Sequence, residues 1–151
     1  MLFNNLTYIY NSGRIKRFNN TENYPNEFFY GLNFMKEKFN KTEIIEIKNS
    51  SSFKLSSIIF KFLRKITGLP LYTENILTRS NFNILKKSDL IMLSNQNVGF
   101  TALPLIAVNK LFKKQTSCVF VMGLYNTNTT KKIKLLFRRF FTYIFLLTIK
   151  K

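Results

Sequence analysis

Short β-rich runs that alternate with helix-period segments predict an α/β domain, a mostly parallel sheet of about four strands held between two helical layers. Three observations carry this prediction. First, "LIML" and "CVFVM" are too short and too closely bounded for helices, and their apolar character on both faces suits strands covered by helices. Second, the segments between strand candidates are long enough for helical crossovers, which make parallel pairing the natural arrangement. Third, 151 residues with 46% hydrophobic and 16% aromatic side chains suffice for one core but not for two ordinary domains. No heptad persists, so a coiled coil is excluded.

The elements follow in order. Leu6–Tyr10 is a first strand, stopped by Asn11-Ser12-Gly13. After a polar loop, Asn26 is placed to cap a helix, "EFFYGLNFMKEKF", in which Phe28, Leu32, Met35 and Phe39 recur at helical spacing. Glu27 suits the positive end of that helix better than it suits a catalytic base. Thr42–Ile47 is a second strand whose two glutamates alternate only approximately, which points to an edge or near-edge place. Phe53–Ile66 is the cleanest helix: Leu55, Ile59, Phe62, Leu63 and Ile66 form one apolar face, with Gly68 and Pro70 ending it.

"ENILTRSNFNILKK" is helical for at least its second half, and Asp89–Asn95 gives a buried strand followed by turn residues. Thr101 is expected to cap "ALPLIAVNKLFKK", which would put Pro104 in the first turn, where a missing N–H does no harm. Ser117–Gly123 is expected to be an inner parallel strand. The organisation expected is a main domain over 1–130 and a basic amphipathic helix over 131–151.

The charge is lopsided. Twenty-four Lys and Arg face seven Asp and Glu for a net +17, and residues 90–151 carry ten bases with no acid. Such a surface favours anionic partners without choosing among them. Nucleic acid is the least favoured, because no RNP-like aromatic strand, zinc knuckle or helix-turn-helix signature appears. There is no histidine and only one cysteine, Cys118, which is expected to be a buried structural thiol. Zinc sites, serine–histidine chemistry and internal disulfides are thereby excluded, and no metal or cofactor is expected. The opening residues lack a signal-peptide pattern, so a cytoplasmic location is expected, at the membrane face if the basic helix binds lipid.

Two loops at the carboxyl edge of the expected sheet are candidate sites. Ser12, Gly13 and Arg14, with Lys16 and Arg17 close by, are placed to meet an anion or an acceptor, or to form an ordinary solvated basic loop. Neither a tight glycine fingerprint nor a Walker A loop is present, which rejects a dinucleotide cofactor. Asn95, Gln96 and Asn97 can hydrogen-bond a sugar or satisfy turn backbone, and Gly99 allows close approach of a ligand.

The last stretch, "KKIKLLFRRFFTYIFLLTIKK", has a broad apolar helical face of Ile133, Leu136, Phe137, Phe140, Ile144 and Leu147. Lys131, Lys132, Lys134, Arg138 and Arg139 gather on the other side. Its uninterrupted apolar run is far short of the about twenty residues a membrane span needs. The helix therefore either lies on an anionic membrane surface or covers its own sheet.

With these elements in place, the chain resembles the amino-terminal part of a family 4, GT-B-type glycosyltransferase. The resemblance lies in "TYIYNSGRIKRFNNTENYPNEFFYGL", "DLIMLSNQNVGFTALPLI" and "CVFVMGLYN", taken in order. It implies a Rossmann-like domain, incomplete relative to the full GT-B fold, that shapes the acceptor side. A saccharide or lipid-linked acceptor would bind here, and a separate domain would supply most contacts to the nucleotide-sugar donor. The usual glycine-rich first loop and amino-terminal histidine are missing, which implies no independent turnover. The abrupt end after "TIKK" fits a truncated product. A small peripheral membrane-binding module without catalysis is the alternative.

Overall fold

The computed structural model describes residues 4–19, 29, 31–48, 54–112, 117–120 and 132–149. These form an α/β fold around a four-stranded parallel sheet ordered β2-β1-β3-β4, with β1 at Asn5–Tyr10, β2 at Lys41–Glu46, β3 at Leu90–Leu93 and β4 at Ser117–Phe120. Ile9 pairs with Ile45 and Leu93, and Tyr8 pairs with Ile44 and Met92. Because side chains alternate along a strand, this register sorts them into two layers.

One layer gathers Ile9, Ile45, Ile91 and Leu93 with Val98, Leu103 and Ile106. The other gathers Leu6, Tyr8, Tyr10 and Leu90 with Phe29 and Leu32. The second layer holds α1 (Arg14–Phe18) and α2 (Leu32–Lys38). The first holds α3 (Lys54–Thr67), α4 (Arg79–Lys87), α5 (Gln96–Phe112) and α6 (Lys132–Ile149). Helices thus cover both faces, as the expected layering requires. The buried Asn109 amide donates to the Leu85 carbonyl at 2.8 Å, tying α5 to α4.

Ties at the amino edge set the strand starts. Asp89 accepts from the Asn4 and Asn5 backbone amides at 3.1 and 3.0 Å, and from the Asn5 side chain at 3.3 Å. The buried Thr7 and Ser88 hydroxyls meet at 2.6 Å. Charge-assisted bonds to backbone are among the stronger ones a surface carboxylate can make, so Asp89 pins β3 beside β1.

Several elements differ from the sequence expectation. A short helix, α1, occupies what was expected to be polar loop. The helix expected from Glu27 begins only at Leu32, because Gly31 before it takes φ 72°, outside the helical region. Asn26, Glu27 and Phe28 lie outside the described residues. Helix α5 starts at Gln96, not after Thr101, because the Asn95 side chain caps it by accepting from the Val98 amide at 3.0 Å. Pro104 is therefore interior and cannot donate to the Phe100 carbonyl. The Thr73 hydroxyl donates to the neighbouring Thr101 carbonyl at 2.7 Å, bracing the turn that the proline loosens. Among the described residues β4 is an end strand, not an inner one, while β2 is at the other edge as expected.

The largest difference concerns α3. Its Leu55, Ile59 and Phe62, expected on the apolar face, are exposed together with Ile58, while Leu63 of that face and Phe60 pack against the core. The helix lies beside α6 and a 3-10 turn at Thr73–Asn75. Gly68 and the following proline do end it, with the Gly68 amide donating to the Arg64 carbonyl at 2.7 Å. No helix among the described residues is long and apolar enough to cross a membrane.

Candidate functional site at the sheet's carboxyl edge

The strand order decides where a ligand can enter. The chain leaves β1 to one side to form β2, then crosses back to form β3 on the other side of β1. The loops after β1 and β3 therefore diverge, and open α/β sheets bind ligands in the crevice this creates beyond the strand ends. A cleft of about 290 Å³ lies there, lined by Asn11, Ser12, Asn75, Asn97 and Thr101 with Ile47 and Tyr72.

Its walls are well held. The Ile47 amide donates to the Tyr10 carbonyl at 2.9 Å and the Lys48 amide to the Asn75 carbonyl at 3.3 Å, so the β2 exit and the 3-10 turn meet beside the cleft. Buried Thr101 donates to the Pro70 carbonyl at 2.9 Å and accepts from the Tyr72 amide at 3.4 Å. The Arg64 guanidinium lies 4.4 Å from the Tyr72 ring centre and donates to the Leu71 carbonyl at 2.6 Å and the Glu74 carboxylate at 2.7 Å. Glu74 is only 4% exposed, and its second oxygen has no hydrogen-bond partner among the described residues. One arginine thus anchors the aromatic wall from behind.

The sequence-derived candidates distribute unevenly around this cleft. Ser12 and Asn97 line it. Gly13 is the residue before α1, and Arg14 begins that helix half-buried. The Asn95 amide is engaged in capping α5, Gln96 lies in the first turn, and Gly99 is buried inside the helix, so it offers no close approach to a ligand. Of the terminal bases, Lys132, Lys134, Arg138 and Arg139 belong to α6, and Lys131 lies outside the described residues.

The anion reading of the first loop meets a competing group. The Ile15 amide, in the first turn of α1, donates to the Glu46 carboxylate at 3.0 Å. A carboxylate from β2 therefore sits where a phosphate would use the free amides of a helix start. The glutamates of β2 hinted at an edge strand, but nothing in their spacing revealed this pairing.

Sequence alone does not single out Asn11, Tyr72, Asn75 and Thr101 as site residues. From sequence Asn11 reads as a strand stop and Thr101 as a helix cap. Tyr72 and Asn75 lie in a segment with no periodic signal, and only the crossover from α3 to α4 brings them to the sheet edge. A larger cavity of about 370 Å³ lies at the opposite, amino edge between β1, β2 and α4. There Lys41 is paired with Glu43 at 2.6 Å, and the Thr7 and Ser88 hydroxyls are engaged with each other. No family model, no curated protein and no solved structure matches this chain.

Proposed function

We propose that this chain is the acceptor-side, amino-terminal part of a GT-B-type glycosyltransferase, holding a neutral, hydroxyl-rich acceptor in the switch-point cleft. One observation carries the reading: among the described residues the cleft is lined by side-chain amides and hydroxyls, Ile47 and one aromatic ring, with no Asp, Glu, Lys or Arg. Amides offer donors and acceptors together, which suits sugar hydroxyls that do both. Tyr72, 44% exposed, presents apolar ring surface to the C–H face of a sugar while Arg64 supports it. The described residues of the lining hold no carboxylate or imidazole to take the acceptor's proton, and a separate donor-binding domain would supply the base and the charge stabilisation for the departing diphosphate. By itself the domain binds and does not turn over.

Saturation-transfer NMR of the full chain with a panel of neutral oligosaccharides tests this. Binding should be seen, and Asn97→Ala should weaken it about 2–10-fold through one lost hydrogen bond. Binding that is unchanged in both Asn97→Ala and Tyr72→Ala, or no binding by any neutral sugar alongside binding of inorganic pyrophosphate, would overturn the reading.

A further inference from the structure

The apolar stripes of α3 and α6, two helices in contact, are both exposed. On α3, Leu55, Ile58, Ile59 and Phe62 are 50–72% exposed. On α6, Leu136, Phe137, Phe140, Tyr143 and Leu147 are 39–69% exposed. The two helices pack side by side, joined by the Arg138 side chain donating to the Thr67 carbonyl at 2.9 Å. Nine exposed apolar side chains on two helices in contact are more than the singly scattered hydrophobic residues that need no explanation on a soluble surface.

Cations border both stripes. Lys61 and Lys65, four residues apart, share one flank of α3, and Lys132 and Arg139, seven apart, share one flank of α6. All four are exposed. Neither helix contains an acid. Arg64 and Arg138 turn inward to partners on the chain itself, so the outward cations are those at the edges of the apolar stripes.

From this pairing of stripe and flank we infer that the α3–α6 face docks the protein on an anionic lipid surface, with both helices lying in the plane of the membrane. Apolar side chains would enter the acyl boundary while flanking Lys and Arg reach the phosphates, the arrangement by which interfacial amphipathic helices bind. Tyr143 suits the boundary layer, where an apolar ring and a polar hydroxyl are both satisfied. The charge argues against a second copy as occupant, since a two-fold interface would set the same acid-free, cationic surface against itself. The inference is independent of the sugar reading, because the cleft and this face are separate surfaces.

The test is flotation of the full chain with vesicles of phosphatidylcholine alone and of phosphatidylcholine with phosphatidylglycerol at 7:3. Binding is expected only to the anionic vesicles, falling as salt rises. Lys61→Glu/Lys65→Glu should weaken it roughly 25-fold or more, from about 1 kcal/mol per cation at the surface. Phe62→Ser/Phe140→Ser, which changes no charge, should weaken it roughly tenfold or more. As a control, Lys36→Glu/Lys38→Glu alters the net charge equally from α2, across the sheet, and should have a much smaller effect. Circular dichroism confirms that each variant is folded. Absence of anionic binding, equal loss in the α2 control, or concentration-dependent self-association that Phe62→Ser relieves without lipid would each overturn the inference.

Discussion

Replacing Arg64 by leucine probes the wall behind the cleft. Arg64 makes two short hydrogen bonds, to the Leu71 carbonyl and to Glu74, and its side chain is 17% exposed against 4% for that of Glu74. Without the guanidinium the Glu74 carboxylate keeps no partner on either oxygen among the described residues. Breaking one side of a buried pair costs about 3–5 kcal/mol. Partial solvent access at Arg64 and the apolar burial leucine gains reduce this, leaving about 3 kcal/mol. For a chain of this size that is a fall in Tm of roughly 6–12 °C.

Urea denaturation followed by circular dichroism measures the loss, and Arg64→Leu/Glu74→Leu completes the cycle. Exchanging both members of a buried pair for apolar residues is often near neutral, so the double variant should return to within about 1 kcal/mol of the parent. The sugar affinity of Arg64→Leu should also fall, because Tyr72 loses its support. If Arg64→Leu costs under about 1 kcal/mol, or if the double variant is no better than the single, the orphaned carboxylate is not the source of the loss and the reasoning fails.

Two further changes test the packing. Gly68 has φ +66°, and a Cβ there would stand 2.7 Å from the Arg138 guanidinium. Gly68→Ala should therefore destabilise by about 2–3 kcal/mol through left-handed strain and displacement of Arg138. In an Arg138→Ala background the penalty should drop to the strain alone, about 1–2 kcal/mol by urea titration. Burial pushes the Tyr8 phenol from 10.0 up to about 12. The fold thus favours the neutral phenol: its contribution is complete below pH 10 and disappears as pH rises to about 12, as the unfolded chain ionises first. The stability difference between parent and Tyr8→Phe should shift by about 2–3 kcal/mol across that window, and an unchanged difference would show that the ring is not held away from water.

The strands were legible because an apolar run only a few residues long, bounded by turn formers, has few alternatives. β1, β2 and β3 lie within a residue or two of their expected bounds. The start of α5 is not legible in sequence because both Asn95 and Thr101 are competent caps, and only the observed bond from the Val98 amide distinguishes them. The α3 error is of a different kind. Its periodicity correctly indicated an apolar stripe, but a stripe does not say what covers it. Of that stripe Leu63 reaches the core, joined by Phe60 from outside it, while Leu55, Ile59 and Phe62 stay exposed. The two expectations for α6 divide similarly, with Phe141 and Ile144 against the core and Leu136, Phe140 and Leu147 outward.

Local sequence by itself determined the alternation of strands and helices, the excess of cations and the end of α3 at Gly68. These depend on side-chain size, charge and backbone freedom within a few residues. Tertiary structure alone decided that Glu46 answers α1, that Arg64 stands behind Tyr72, and that Asn11, Asn75 and Asn97 share one cleft. Each of these pairings joins residues far apart in the chain, and the strand order that brings them together arises from how the whole sheet buries its two faces, which no local pattern encodes.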